Sequence, residues 1–222
     1  MHGNNSEDIL CSGIEYTMLS LVSKKINVLI VGGGRAALIK AKTFVKRGCQ
    51  VEVVSKEFLE EFKKLGGYNN LKLIYGEYNN NYIIDKHIII IATNCETINE
   101  VIRNNCNELY KLYIDCTEPK NGLCITPCNR ETKNILFGVH TAKGNPKISV
   151  FLADKVKQEL DKYDGLVEFT SNIRNKIKNC KRKQEILSFI CSEDFYFFYS
   201  MGKEKIVLQL FYLQNGENWD GD

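Results

Sequence analysis

The sequence predicts an α/β protein in three successive parts: a parallel-sheet domain, a small β segment suited to dimerisation and a helical C-terminal domain. Three observations lead there. A glycine-rich turn separates a β-branched apolar run from an amphipathic stretch. Further short apolar runs then alternate with helical stretches, the pattern of a doubly wound sheet. From Ile148 onward the apolar spacing becomes helical throughout, with charged residues on the other faces. The expected boundaries are 14–117, 118–147 and 148–222.

The first strand is expected at 26–31, an almost unbroken apolar run suited to burial on both faces of a parallel sheet. Gly32-Gly33-Gly34-Arg35-Ala36-Ala37 follows with the spacing G-x-G-x-x-A, which makes the domain Rossmann-like. Gly32 permits a tight turn, Gly34 lets a pyrophosphate meet bare backbone, and Ala37 lets the next helix sit close to the sheet. That helix is predicted over 35–46, with Ala37, Ala41, Phe44 and Val45 facing the sheet, and Gly48 ends it. A second strand at 51–54 completes a unit in which dinucleotide phosphates meet a helix N-terminus. A tight turn without a ligand is the competing reading. The candidate cofactor contacts are Gly32, Gly34, Arg35 and Ala36, with Lys56 and Glu57 near the adenosine. The acid usual at the end of the second strand is replaced by Ser55-Lys56, so these residues do not choose between NAD and NADP.

Further along, 58–65 has helical spacing, 71–75 reads as a third strand, 82–85 as a short helical turn and 88–92 as a fourth strand. Thr93 and Asn94 end that strand at the carboxyl edge, where such sheets hold ligands. A helix is expected over 96–105, with Ile98, Val101 and Ile102 on one side, and a fifth strand at 112–116 carries Asp115 near its end. Two further strands are expected at 123–127 and 135–139 with a polar turn between them, and the turn at 144–146 closes this half. Helices are expected over 148–160, 165–180, 183–191 and 203–213, with the aromatic set Phe195 to Tyr199 in a core or a subunit interface. The segment 14–21 is expected to pack over the cofactor end of the sheet, and the polar ends, 1–13 and 215–222, to be loose.

Composition narrows the partners. A formal charge of +3 without a long basic block, and with scattered aromatics, argues against nucleic acid. The first ten residues lack a basic region followed by an apolar run, and no apolar run approaches the roughly 20 residues a bilayer span needs. A soluble, cytoplasmic protein without a membrane partner is expected. Nine cysteines without a C-x-x-C pair fit free thiols in a reducing compartment. Cys124 and Cys128 are four apart, but no second Cys or His pair accompanies them, so no metal is expected.

Several patches together resemble the precorrin-2 dehydrogenase family, the amino-terminal module of siroheme synthases. They are Val28-Leu29-Ile30-Val31-Gly32-Gly33-Gly34 with Ala37 and Lys40, Ile91-Ala92-Thr93 with Asn99, Pro119 to Pro127, and Thr141 to Pro146. The resemblance covers roughly 16–160 and, more weakly, the helical tail. It implies NAD as cofactor, oxidation of the tetrapyrrole precorrin-2 to sirohydrochlorin, and in some members insertion of ferrous iron. It also points to Thr117, Thr141 and Asn145 as substrate contacts, while His140 beside Thr141 reads as a polar surface residue rather than a metal ligand. The helical half carries more apolar surface than about 70 residues can bury alone, so a homodimer is expected.

The chain departs from the family at its acid. The family commonly has Asp two residues before the position of Pro119, where this chain has Thr117, and Asp115 lies two residues earlier. Strand side chains repeat with a period of two, so Asp115 and Thr117 share a side if the strand continues. Two roles stay open for Asp115: general base, or a structural acid capping the following turn. Three readings of the whole stay open with it: a dehydrogenase, a ferrochelatase for the same tetrapyrrole, or a module that binds NAD or tetrapyrrole without turnover.

Overall fold

A computed structural model describes residues 16–142, 144–177 and 181–212. The expected loose ends, together with Cys11, Ile14, Glu15 and Cys180, lie outside these residues. The chain divides into two compact units, with the division between Thr126 and Pro127.

In the first unit five parallel strands form one sheet in the order β3-β2-β1-β4-β5. They are β1 (Asn27–Val31), β2 (Gln50–Ser55), β3 (Leu71–Tyr75), β4 (Ile88–Ile91) and β5 (Leu112–Asp115). β1 occupies the centre, and four of its five residues, Val28 to Val31, are apolar and buried, as suits a strand covered on both faces. Its Ile30 pairs with Val53 on one side and Ile90 on the other, and all three are fully buried. The helix α1 (Arg35–Lys46) buries Ala37, Leu38, Ala41 and Val45 in the core on one face of the sheet. Gly48, with φ of 88°, turns the chain back into β2. On the other face α2 (Glu96–Glu108) buries Asn99, Ile102 and Cys106. The expected inward Val101 is 48% exposed, because Asn99 takes the sheet-facing position.

The predicted helical stretches at 58–65 and 82–85 are tighter 3₁₀ turns, Glu60–Leu65 and Asn80–Ile83, as short connectors often are. The expected cover at 14–21 is absent among the described residues. Met18, Leu19 and Leu21 are exposed, and no regular element forms there.

The second unit begins with an antiparallel pair, β6 (Cys128–Glu131) and β7 (Leu136–Val139). This corrects the expectation of a strand at 123–127. The Leu123 and Cys124 amides both donate to the Tyr113 carbonyl, at 3.0 and 3.1 Å, and Pro127 has no amide to give a ladder. Among the described residues five α-helices follow: α3 (Pro146–Leu160), α4 (Asp164–Lys176), α5 (Lys183–Ile190), α6 (Glu193–Ser200) and α7 (Glu204–Tyr212). α6 contains the aromatic set. Phe195 is fully buried against Phe169 and Phe189, whereas Phe197 is 58% exposed, so the set belongs only partly to the core.

Candidate functional site

The strand order reverses beside β1, so the carboxyl ends of β1 and β4 flank the switch point at which open α/β sheets hold ligands. There a cleft of about 650 Å³ opens between the glycine turn, the loop after β2, the loop after β3 and the end of β4. Each of the three glycines has a distinct task. Gly32 has φ of 125°, and an added Cβ would stand 2.2 Å from the Ala92 carbonyl oxygen. A Cβ on Gly33 would stand 1.9 Å from the Glu57 carbonyl oxygen, where Gly33 also accepts the Leu59 amide at 3.0 Å. Gly34, the N-cap of α1, has nothing within 4 Å of its Cβ position. Thus two glycines press against protein, and the third leaves the N-terminus of a twelve-residue helix bare. That end carries partial positive charge and unsatisfied amides, a cradle suited to a pyrophosphate. The residues present fit a dinucleotide.

The structure brings Gly32, Gly34, Lys56, Glu57, Thr93 and Asn94 together around this cleft. Arg35 and Ala36 do not line it; they form the exposed first turn of α1 directly after Gly34. Sequence reasoning missed Gly33, Phe58, Glu77 and Cys95, which all line the cleft. The run of three glycines was a visible signal for Gly33. The other three arrive through loops whose neighbours no local pattern encodes.

Thr93 is fixed by α2. Its hydroxyl donates to Asn99 Oδ1 at 2.6 Å and accepts the Cys95 amide at 3.1 Å, while Asn99 Nδ2 returns a bond to the Thr93 carbonyl at 3.2 Å. Asn99 is 1% exposed, so its amide group is held for this purpose. Beside it Glu96 pairs with Arg103, and Arg103 Nη1 reaches Asp115 Oδ2 at 2.7 Å. One chain of polar contacts thus runs from the floor of the cleft to the end of β5.

Asp115 sits at the far end of that chain, with no exposed side-chain surface. Its Oδ1 accepts the Thr117 amide at 2.8 Å, the Thr117 hydroxyl at 2.7 Å and the Glu118 amide at 3.0 Å. Burial alone would push this carboxyl up. The bonds from Glu118, Thr117 and Arg103 outweigh burial and hold it below the ordinary carboxylate range. Of the two roles left open by the sequence, this geometry has the form of the turn cap: the expected general base is enclosed and lies outside the cleft. Thr117, expected to touch substrate, gives its hydroxyl to the same cap. In the second unit Thr141 and Asn145 close the start of α3. The Thr141 hydroxyl accepts the Asn145 amide at 2.8 Å, and Asn145 Oδ1 accepts the Ile148 amide at 3.3 Å.

Lys40, on the inner side of α1, is partly buried and donates to the Thr126 hydroxyl. Desolvation lowers its pKa, with Cys116 and Cys124 the nearby groups that oppose the shift. All seven described cysteines are free, and no cluster of possible metal ligands occurs among the described residues. Among the described residues no helix is long and apolar enough to cross a membrane.

Comparison with known proteins agrees with this geometry. Residues 19–128 match the family described as "Putative NAD(P)-binding". The chain is 29% identical over 173 residues to a siroheme synthase of Saccharophagus degradans, covering 75% of this chain and 36% of that protein. It is 26% identical over 151 residues to siroheme synthase 2 of Yersinia enterocolitica, covering 68% of this chain and 32% of that protein. The chain therefore spans about a third of the length of these curated relatives. Among solved structures its fold is similar to "SirC, precorrin-2 dehydrogenase", with a TM-score of 0.70 at 20% identity over 88% of this chain and 98% of that one. The chain thus carries a matched nucleotide-binding segment, is similar in sequence to siroheme synthases over about a third of their length, and shares the fold of a precorrin-2 dehydrogenase.

Proposed function

We propose that this chain oxidises precorrin-2 to sirohydrochlorin with NAD⁺, as part of siroheme formation. The observation that carries the proposal is the bare glycine turn at Gly34, set at the switch point of the sheet in a chain similar to siroheme synthases. Bound NAD⁺ would supply a hydride acceptor. The chain's own residues supply position. The turn from Gly32 to Gly34 receives the pyrophosphate, and Thr93 and Asn94 form the wall of the cleft beyond it. Thr93 keeps its orientation through Asn99.

Asp115 enters this reading as a positioning residue. It fixes the turn after β5 and, through Arg103 and Glu96, the first turns of α2. The departing proton then leaves to solvent or to one of the substrate's own carboxylates. Thr141 and Asn145 serve the substrate by shaping the loop before α3.

The working form in this reading is a homodimer in the cytoplasm. Ile148, Phe151, Leu152 and Val156 make an exposed apolar stripe along α3, which a second copy would cover. Anaerobic incubation of the purified chain with precorrin-2 and NAD⁺ tests the activity. Formation of NADH together with the sirohydrochlorin chromophore is the expected result, and absence of both would refute it.

A further inference from the structure

We propose that Glu77, in the loop after β3, makes this cleft select NAD over NADP, taking the part that an acid at the end of β2 usually plays. The inference rests on reading the cleft as a dinucleotide site. β2 ends at Ser55 and Lys56 follows it, a hydroxyl and a cation, which alone would suit a 2′-phosphate. The neighbouring strand changes that outcome. Ser55 is in register with Tyr75, and the Gly76 amide donates to the Ser55 carbonyl at 3.0 Å, so the ladder carries the two chains side by side past the sheet. Lys56 and Glu77 follow as neighbours on these two chains, and Lys56 Nζ meets Glu77 Oε1 at 2.7 Å.

Both residues line the same cleft as the glycine turn, with side chains 70% and 74% exposed. A ligand can therefore reach them. A 2′-phosphate entering here would have to displace a carboxylate from Lys56 and remain beside its negative charge. Free ribose hydroxyls instead donate to that carboxylate. The hydrogen bond between the two holds Glu77 below and Lys56 above their ordinary values, so both are charged at neutral pH. An exposed pair of this kind is weakly held and can open when ligand arrives.

Titration calorimetry of the full chain with NAD⁺ and with NADP⁺ tests the assignment without any turnover. The wild type should prefer NAD⁺. Glu77→Gln should keep the melting temperature, weaken NAD⁺ and strengthen NADP⁺, each by about tenfold. Adding Lys56→Gln to that variant should remove the gain for NADP⁺. If Glu77→Gln leaves the ratio of the two affinities unchanged while NAD⁺ still binds, the assignment of Glu77 fails and the cleft remains a dinucleotide site. A wild type that prefers NADP⁺ overturns the assignment too. A wild type that binds neither nucleotide overturns both this inference and the reading beneath it.

Discussion

Arg103 and Asp115 meet at 2.7 Å, so that the middle of α2 is ionically fastened to the last residue of β5. Removing the charge from Asp115 leaves Arg103 with Glu96 alone and weakens three bonds into the following turn. Asp115→Asn should therefore lower stability by about 1–3 kcal/mol, read as a fall in melting temperature, and Thr117→Ala by less. An Asn variant with unchanged melting temperature but turnover down by roughly 10² to 10⁴ would return the carboxylate to the role of base.

The same carboxylate sets a pH dependence. Its folded pKa lies below its unfolded value, so below that unfolded value the unfolded chain binds more protons. The stabilisation is complete above about pH 4 and is lost as pH falls through the folded pKa. Denaturant midpoints measured from neutral to acid pH should decline on this limb, and Asp115→Asn should flatten the decline.

The glycine turn allows two substitutions to be told apart. Gly33→Ala drives a Cβ to 1.9 Å from the Glu57 carbonyl oxygen and should destabilise the first unit by about 1–3 kcal/mol. Gly34→Ala meets no protein atom within 4 Å and should fold normally. Its cost should appear in nucleotide affinity instead, because the new methyl stands on the cradle. Equal melting temperatures for the two variants would contradict this division.

Thiol chemistry gives a further readout. Cys106 is fully buried and its pKa is pushed up to about 12 by burial, whereas Cys95 is exposed. Bonds from Thr97 and from the first amides of α2, with Lys56 nearby, lower the Cys95 pKa. Limiting iodoacetamide followed by peptide mapping should label Cys95 first among the described cysteines and leave Cys106 untouched. Saturating NAD⁺ should slow the Cys95 reaction, since this residue lines the cleft.

The apolar stripe on α3 predicts an oligomeric state. Phe151, 54% exposed, stands in that stripe, so Phe151→Asp should convert a dimer to a monomer in light scattering without unfolding the chain. A wild type that is monomeric at micromolar concentration would remove the second copy from the proposal.

What the sequence reveals depends on how local the cause is. β1, the glycine turn and α1 were legible because an apolar run, a G-x-G-x-x-A spacing and a helical period all lie within one short stretch. The strand expected at 123–127 fails for a nonlocal reason, since its amides are taken by Tyr113, ten or more residues earlier. α6 was hidden by its run of aromatics, which lacks a polar face, although Ser192 followed by two acids is a legible start and does cap Phe195 at 3.2 Å. Asp115 could be placed on its strand from sequence, but its role depends on Arg103, twelve positions away. Glu77 depends on which strand lies beside β2, a fact that only the assembled sheet supplies.

The central place of β1 also dictates an order of events during synthesis. Its partner on one side, β2, leaves the ribosome next, but the partner on its other side is β4, Ile88–Ile91. Until that segment emerges, the chain presents a bare, mostly apolar strand edge, the kind of surface on which nascent chains stick to one another. Each parallel pairing also closes a long loop, which slows folding further. The arrangement that places the cleft at the switch point thus leaves the young chain in need of protection until β4 has been made.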